Sequence, residues 1–284
     1  MAINHEQLMG LSSKDERFSY SDRETMLYAL GVGMGQDPMD ENELPFVYER
    51  NLKTIPTMAT VIAWGAGSLG RSGINYQMVV HGEQRLDIHQ PLPPTAEILA
   101  DSRVTGVYDK GRDKGALVIT ETAIRLAADD APLCTLRSTI FARGDGGFGG
   151  PREGAPKPHQ LPNRQPDARI EVTSRPDQAI LYRLSGDRNP LHVDPGFARQ
   201  AGFDRPILHG LCSYGMAARG IIRDLCGYDA TRIKRFDVRF SAPVIPGETL
   251  VLDIWQDGSE ISFQAKIKER NAPALSNGLC VLSG

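Results

Sequence analysis

Long apolar runs are missing from this chain. No stretch of about 18 hydrophobic residues occurs in its 284 positions, which excludes an ordinary transmembrane helix. The start, MAINHEQLMG, lacks the basic and apolar regions of a secretory signal, and the end, CVLSG, is not a peroxisomal address. A cytoplasmic protein is therefore expected. Cysteine is scarce. Cys134, Cys212, Cys226 and Cys280 are too scattered for a disulfide framework and form no CxxC pair, so structural zinc is not expected either. A dominant charge is also missing. Lys and Arg number 32 against 35 Asp and Glu, a net charge of −3. That balance argues against a nucleic-acid binder and leaves room for a local basic patch serving an anionic ligand.

What is there suffices for a large core. Hydrophobic residues make up 40% and charged residues 24%, which fits one large domain or two small ones. Between Gly144 and Arg169, six glycines and five prolines fall within 26 residues, which no helix or central strand sustains. This predicts a linker at 151–168 between an N-terminal unit (1–150) and a C-terminal unit (169–284). Phe148 suggests that the glycine-rich part packs against something.

The two sides echo each other. LYALGVG from Leu27 and LYRLSGD from Leu181 lie 154 residues apart, and RLDIHQPLPP from Arg85 and RFDVRFSAPVIP from Arg235 lie 150 apart. Two copies of one fold are implied. In the second copy, Ser174-Arg-Pro-Asp177 reads as a capping box for a helix through QAILYRL. Asp194-Pro195 reads as another cap. LCSYGMAARGIIRDLCG, after His209, has apolar residues at helical spacing, with Gly215 and Gly220 permitting close packing. RFDVRF, TLVLDIW and EISFQAKIK then read as strands. One long helix followed by antiparallel strands predicts an α+β unit.

The densest chemistry lies in GDRNPLHVDPGF (186–197) and RPILHG, ending at Gly210. Asn189-Pro190 forces a turn, so Asp187 and His192 can face one cavity, hold one water and move its protons. Asn189 can orient the carboxylate or bind ligand. The Gly210 and Leu211 amides would point from the free end of the long helix, where an anion or a developing enolate oxygen is stabilised. The bland alternatives are a capping Asp187, a His192 donating to a carbonyl and a packed His209.

Two rival motifs compete. His192, Asp194 and His209 have the composition of a two-His, one-carboxylate iron site, but Asp194 is better placed to cap a helix. Gly65-Ala-Gly67-Ser-Leu-Gly70 matches GxGxxG, but Gly73 and Asn75 fall where a supporting helix would be needed, so a loop near a helix start explains the glycines.

Tyr182-Arg-Leu-Ser-Gly-Asp-Arg-Asn-Pro-Leu-His-Val-Asp-Pro195 with Ile207-Leu-His-Gly-Leu211 resembles the MaoC-like dehydratases. YALGVG (28–33), HGEQ (81–84), YDKG (108–111), RGDGGFGG (143–150) and RFSAPVIPGETL (239–250) narrow the resemblance to the type 2, (R)-specific enoyl-CoA hydratases, and extend it over nearly the whole chain. The resemblance implies a double hot-dog fold with two long central helices, each wrapped by an antiparallel sheet. It implies reversible syn hydration of trans-2-enoyl-CoA to (R)-3-hydroxyacyl-CoA, with Asp187 and His192 as the catalytic pair, Asn189 in support and Gly210 as oxyanion donor. Lys110, Arg143, Phe148 and His209 are expected on the substrate or CoA. No metal or other cofactor, no nucleic acid, no membrane and a homodimer are expected. Aligning Tyr28 with Tyr182 sets Gly33 opposite Asp187, Gly35 opposite Asn189 and Pro38 opposite His192. The first copy would then house the acyl chain. A non-catalytic acyl-CoA binding module is the competing class, although binding alone needs no paired acid and base.

Overall fold

Alternating apolar and polar residues become ten strands of one antiparallel sheet in the computed structural model, which describes residues 3–67, 69, 72–75 and 78–284. The strands are β1 (Ser12–Tyr20), β2 (Val79–Ile88), β3 (Ala96–Asp109), β4 (Ala116–Leu126), β5 (Pro132–Ala142), β6 (Ala168–Thr173), β7 (Ile233–Phe240), β8 (Thr249–Asp257), β9 (Glu260–Ile267) and β10 (Ala272–Leu282). Their order is β1-β3-β4-β5-β2-β7-β10-β9-β8-β6, so the second half repeats the first in reverse about the β2–β7 seam. The echo noted in the sequence lies on that seam. Arg85 stands opposite Asp237, and Asp87 opposite Arg235.

The helices are α1 (His5–Met9), α2 (Asp22–Gly31), α3 (Leu44–Val47), α4 (Ala59–Ile62), α5 (Gln178–Tyr182), α6 (Pro195–Gln200) and α7 (Gly210–Leu225). From Cys212 to Ile222 every residue of α7 is buried, the pattern of a helix surrounded by its sheet. A Cβ on Gly215 would stand 2.5 Å from Val32 Cγ1, and one on Gly220 would stand 2.7 Å from Val172 Cγ2. Both glycines therefore serve close packing. The Gln178 side chain donates to the carbonyls of Leu30 and Gly31, joining α5 to α2 across the two copies.

The fold is an α+β double hot-dog, but its two central helices are not both long. In the first half a 3₁₀ turn at Pro56–Met58 leads into the four-residue α4. At Gly65 the backbone turns to φ +91°, outside the helical region, so a helix cannot continue there. The glycines of the GxGxxG match thus follow a helix instead of opening one, and the apolar residues before them include helix α4, not the strand a nucleotide fold requires. Gly70 lies outside the described residues.

Ser174 is not a cap. Its hydroxyl donates to the Glu248 carbonyl at 2.9 Å and accepts from the Gly247 amide at 2.9 Å, clamping the turn before β8. Asp177 is spent on Arg175 instead. The glycine- and proline-rich segment runs as a strap along both halves. Asp109 gathers the amides of Gly111, Gly147 and Gly149, each at 2.8 Å, and the Trp255 indole donates to the Arg164 carbonyl at 2.8 Å.

Candidate active site

Helix α5 passes through a 3₁₀ turn and stops at Gly186, whose φ of +150° only glycine adopts readily. Asp187 follows. Its Oδ1 accepts the Asn189 amide at 3.0 Å, and the Asn189 side chain caps the next 3₁₀ turn through the Leu191 amide at 3.0 Å. These two local bonds bring His192 back toward Asp187. The expected role of Asn189 in orienting the carboxylate is thus filled by its backbone, while its side chain is a cap.

His192 Nδ1 lies 2.8 Å from the Ile207 carbonyl. A carbonyl only accepts, so Nδ1 carries the proton and Nε2 presents a lone pair. That Nε2 stands 4.0 Å from Asp187 Oδ2. An oxygen about 2.8 Å from both atoms would subtend about 90°, near the angle between the two O–H bonds of one water. Burial lowers the His192 pKa from its ordinary value, keeping the ring neutral, although Asp187 opposes this.

His209 is buried beneath the pair. Its ring stacks on His192 with centroids 3.6 Å apart, Tyr182 closes its other side at 5.0 Å, and Nε2 donates to the Asp187 carbonyl at 3.0 Å. It was expected to touch substrate. Enclosure between two rings makes it a support of the Asp187 turn instead. Burial, reinforced by His192, pushes its pKa down to about 3.

Helix α7 begins immediately afterwards. The Cys212 and Ser213 amides turn back to the His209 carbonyl at 3.1 and 3.2 Å. Those of Gly210 and Leu211 make no hydrogen bond among the described residues, so this end is a donor site. A Cβ on Gly210 would stand 3.2 Å from the Phe240 ring, which packs against His81 at 4.7 Å.

The iron set is not assembled. Asp194 caps α6, accepting from the Gly196 and Phe197 amides at 2.7 and 3.2 Å. The metal-capable atoms that do lie together, within 4.8 Å, belong to Asp187, His192 and His209.

Lys110 and Arg143 meet elsewhere, in an open depression lined also by Met78, Asp113, Lys114 and Phe141. Val79, next to Met78, opens β2 two residues before His81, about 7 Å at ~3.3 Å per residue. Phe148 is not on this site; it stacks on His5 at 6.4 Å and joins a small separate core. Sequence reasoning missed Lys114, although it follows Lys110 in one loop, and missed Phe240, His81 and Trp64, whose relation to the site is a long-range contact with no local signal.

Similarity to known proteins falls on two stretches of the chain. Residues 18–144 match the MFE-2 hydratase 2 N-terminal domain, and residues 158–277 match the MaoC like domain. The peroxisomal enoyl-CoA hydratase 2 of Arabidopsis thaliana is 39% identical over 96% of this chain and 94% of its own length. Enoyl-CoA hydratase ChsH3 of Mycobacterium tuberculosis is 38% identical over 100% of this chain and 98% of its own. The crystal structure of a MaoC-like dehydratase from Phytophthora capsici superposes with a TM-score of 0.87 at 34% identity, covering 99% of this chain and 98% of that one.

Proposed function

From the premise that the chain belongs to the MaoC-like dehydratases, with the hydratase 2 N-terminal domain ahead of the MaoC-like one, we propose that it hydrates trans-2-enoyl-CoA reversibly to (R)-3-hydroxyacyl-CoA. The observation that carries this reading is the 4.0 Å separation of a carboxylate oxygen and an imidazole lone pair. Asp187 and His192 each accept one O–H of a single water. As its oxygen attacks C3, the pair takes one proton and delivers one to C2 from the same face. H and OH add syn, and no proton is gained or lost. Charge developing on the thioester oxygen is received by the Gly210 amide, at the positive end of the 16-residue α7. The (R) outcome is supported by the family and by relatives named as enoyl-CoA hydratase 2, not by the local geometry.

Lys110, Arg143 and Lys114 take the CoA phosphates in this reading. The pantetheine arm would then run over Phe240 and His81 to Gly210. The first half houses the acyl chain. No redox group is assigned, because hydration is redox-neutral overall, and no metal is assigned, because Asp187, His192 and the Gly210 amide already supply the proton transfers and the oxyanion donor. A homodimer rests on the family resemblance, and sedimentation of a 31.1 kDa species alone would refute it. Four free, buried cysteines support a reducing compartment, and no helix among the described residues is long and apolar enough to cross a membrane. A cytoplasmic location is tested by imaging a tagged chain.

The deciding assay follows enoyl absorbance with crotonyl- and decenoyl-CoA, coupled separately to (R)- and (S)-specific dehydrogenases. Absorbance loss feeding only the (R) enzyme is expected. Tight CoA-ester binding without turnover would replace the reading with a binding module, and exclusive (S) product would reverse the stereochemistry.

A further inference from the structure

We infer that Trp64, contributed by the turn that follows the short helix α4, determines specificity by reading the acyl chain at the carbons just beyond C3. The inference rests on the hydratase reading and goes beyond it by naming one residue and one position on the substrate.

The order of contacts around the site sets the direction. Phe240 lies against Gly210. His209, the next residue toward the pair, is bonded to the Asp187 backbone and stacked on His192. Gly186 immediately precedes Asp187 in the chain. A Cβ there would stand 2.9 Å from Trp64 Cγ and 3.0 Å from Cδ2, so the indole lies directly on this glycine. Phe240 therefore borders the site at Gly210, and Trp64 borders it at Gly186. A substrate whose thioester oxygen meets Gly210 and whose C3 meets the pair has only C4 and later carbons to present to Trp64.

The exposure of the ring points the same way. Trp64 is 43% exposed although it packs on the catalytic turn, and the Asp187 side chain is itself 32% exposed. An apolar ring left open next to the acid–base pair suits a hydrocarbon chain. The turn is held at its other end, where the Gly67 amide donates to Glu16 Oε1 at 3.1 Å. The indole is thus borne on a turn fixed to β1, on the first half, while it touches the catalytic turn of the second.

Two experiments test this. Trp64 and Trp255 are the two tryptophans of the chain, so Trp255→Phe isolates the fluorescence of Trp64. Free CoA and acetyl-CoA should leave the emission unchanged, whereas butyryl- and decanoyl-CoA, which bind without reacting, should shift it to the blue. An equal response to all four, or none to decanoyl-CoA under conditions where it inhibits crotonyl-CoA hydration, overturns the inference. The second experiment keeps Trp255 and compares kcat/KM for 4-methylpent-2-enoyl-CoA and crotonyl-CoA. Trp64→Ala should raise their ratio about tenfold, the scale of a methyl group in an apolar pocket, and Trp64→Phe should raise it less. A residue that merely braced Gly186 would lower both substrates by one factor, and that result overturns the inference while the hydratase reading stands. Wild-type protein that turns over no enoyl-CoA overturns both.

Discussion

In the second half, a 16-residue helix starts at Gly210 beside Asp187 and His192. At the corresponding place in the first half, 154 residues earlier, stands Pro56, which opens a three-residue 3₁₀ turn leading into four helical residues. Proline has no amide hydrogen. The first half thus lacks the acid–base side chains and also the backbone donor that the second half offers. Its counterpart of the catalytic loop is tied down instead. Glu43 is buried, accepts the Gly35 amide at 2.7 Å and pairs with Arg219 of α7 at 2.6 Å. The same architecture thus offers an amide at Gly210 in one half and, with Pro56, none at the matching position in the other.

The sharpest way to break this comparison is to remove the pair. Asp187→Asn and His192→Ala should each lower turnover by at least about 100-fold, within the range for general acid–base groups. The double variant should be scarcely worse than the poorer single one, because both residues grip one water. Pro38→Ala, at the position opposite His192, should leave steady-state rates unchanged. Either single variant keeping more than about a tenth of wild-type turnover would end that residue's assignment to proton transfer.

Next in size is the tie between the halves. Glu43→Gln leaves Arg219 buried and unneutralised, and urea unfolding should show a loss of about 3–5 kcal/mol. Gly215→Ala should cost about 1–3 kcal/mol, since the added methyl meets Val32 of the first half. Unchanged midpoints would show that α7 does not depend on the first half for its seat.

A smaller effect follows from pH. Burial lowers the pKa of His209 to about 3 and, chiefly through the same cause, that of His81 to about 4, against 6.5 unperturbed. Between these values the unfolded chain holds protons that the folded chain does not. Stability should therefore be full above about 6.5 and fall as pH falls toward 4 and 3. Urea midpoints at pH 7 and pH 5 measure this, and His81→Phe should flatten the slope if it folds. Activity should also fall on the acid side as His192 Nε2 gains a proton, at a pH below the ordinary imidazole value because its pKa is lowered. The smallest effect is Asp194→Asn. Asparagine caps a helix nearly as well, so rates and stability should stay close to wild type; loss of activity would reopen a ligand role for this carboxylate.

The strands of the second half were legible because apolar and polar residues alternate in RFDVRF and EISFQAKIK. The approach of Asp187 to His192 was legible because Asn189-Pro190 permits little but a turn. Order along the chain even disclosed the repeat. What escaped depends on partners far away in sequence. ATVIAW reads equally as strand or helix, and only the backbone at Gly65 shows how short the helix is. Ser174 had the spacing of a cap, but its partners are Gly247 and Glu248. His209 looked available until Tyr182 and His192 enclosed it, and nothing near Gly186 announces Trp64, 122 residues earlier.

The seam between β2 and β7 has a consequence for ancestry. Arg85-Leu-Asp87 and Arg235-Phe-Asp237 run antiparallel, so each arginine faces the other strand's aspartate. A strand carrying Arg-x-Asp is complementary to a reversed copy of itself. Such a segment can pair with an identical chain about a two-fold axis, as in an isologous dimer. Here both partners are carried on one polypeptide. Joining them removes the demand that the two copies stay identical, so one copy is free to keep a reactive pair while the other exchanges it for glycine and proline. A chain comprising the second half alone would expose β7 as an edge already coded to meet its own reflection.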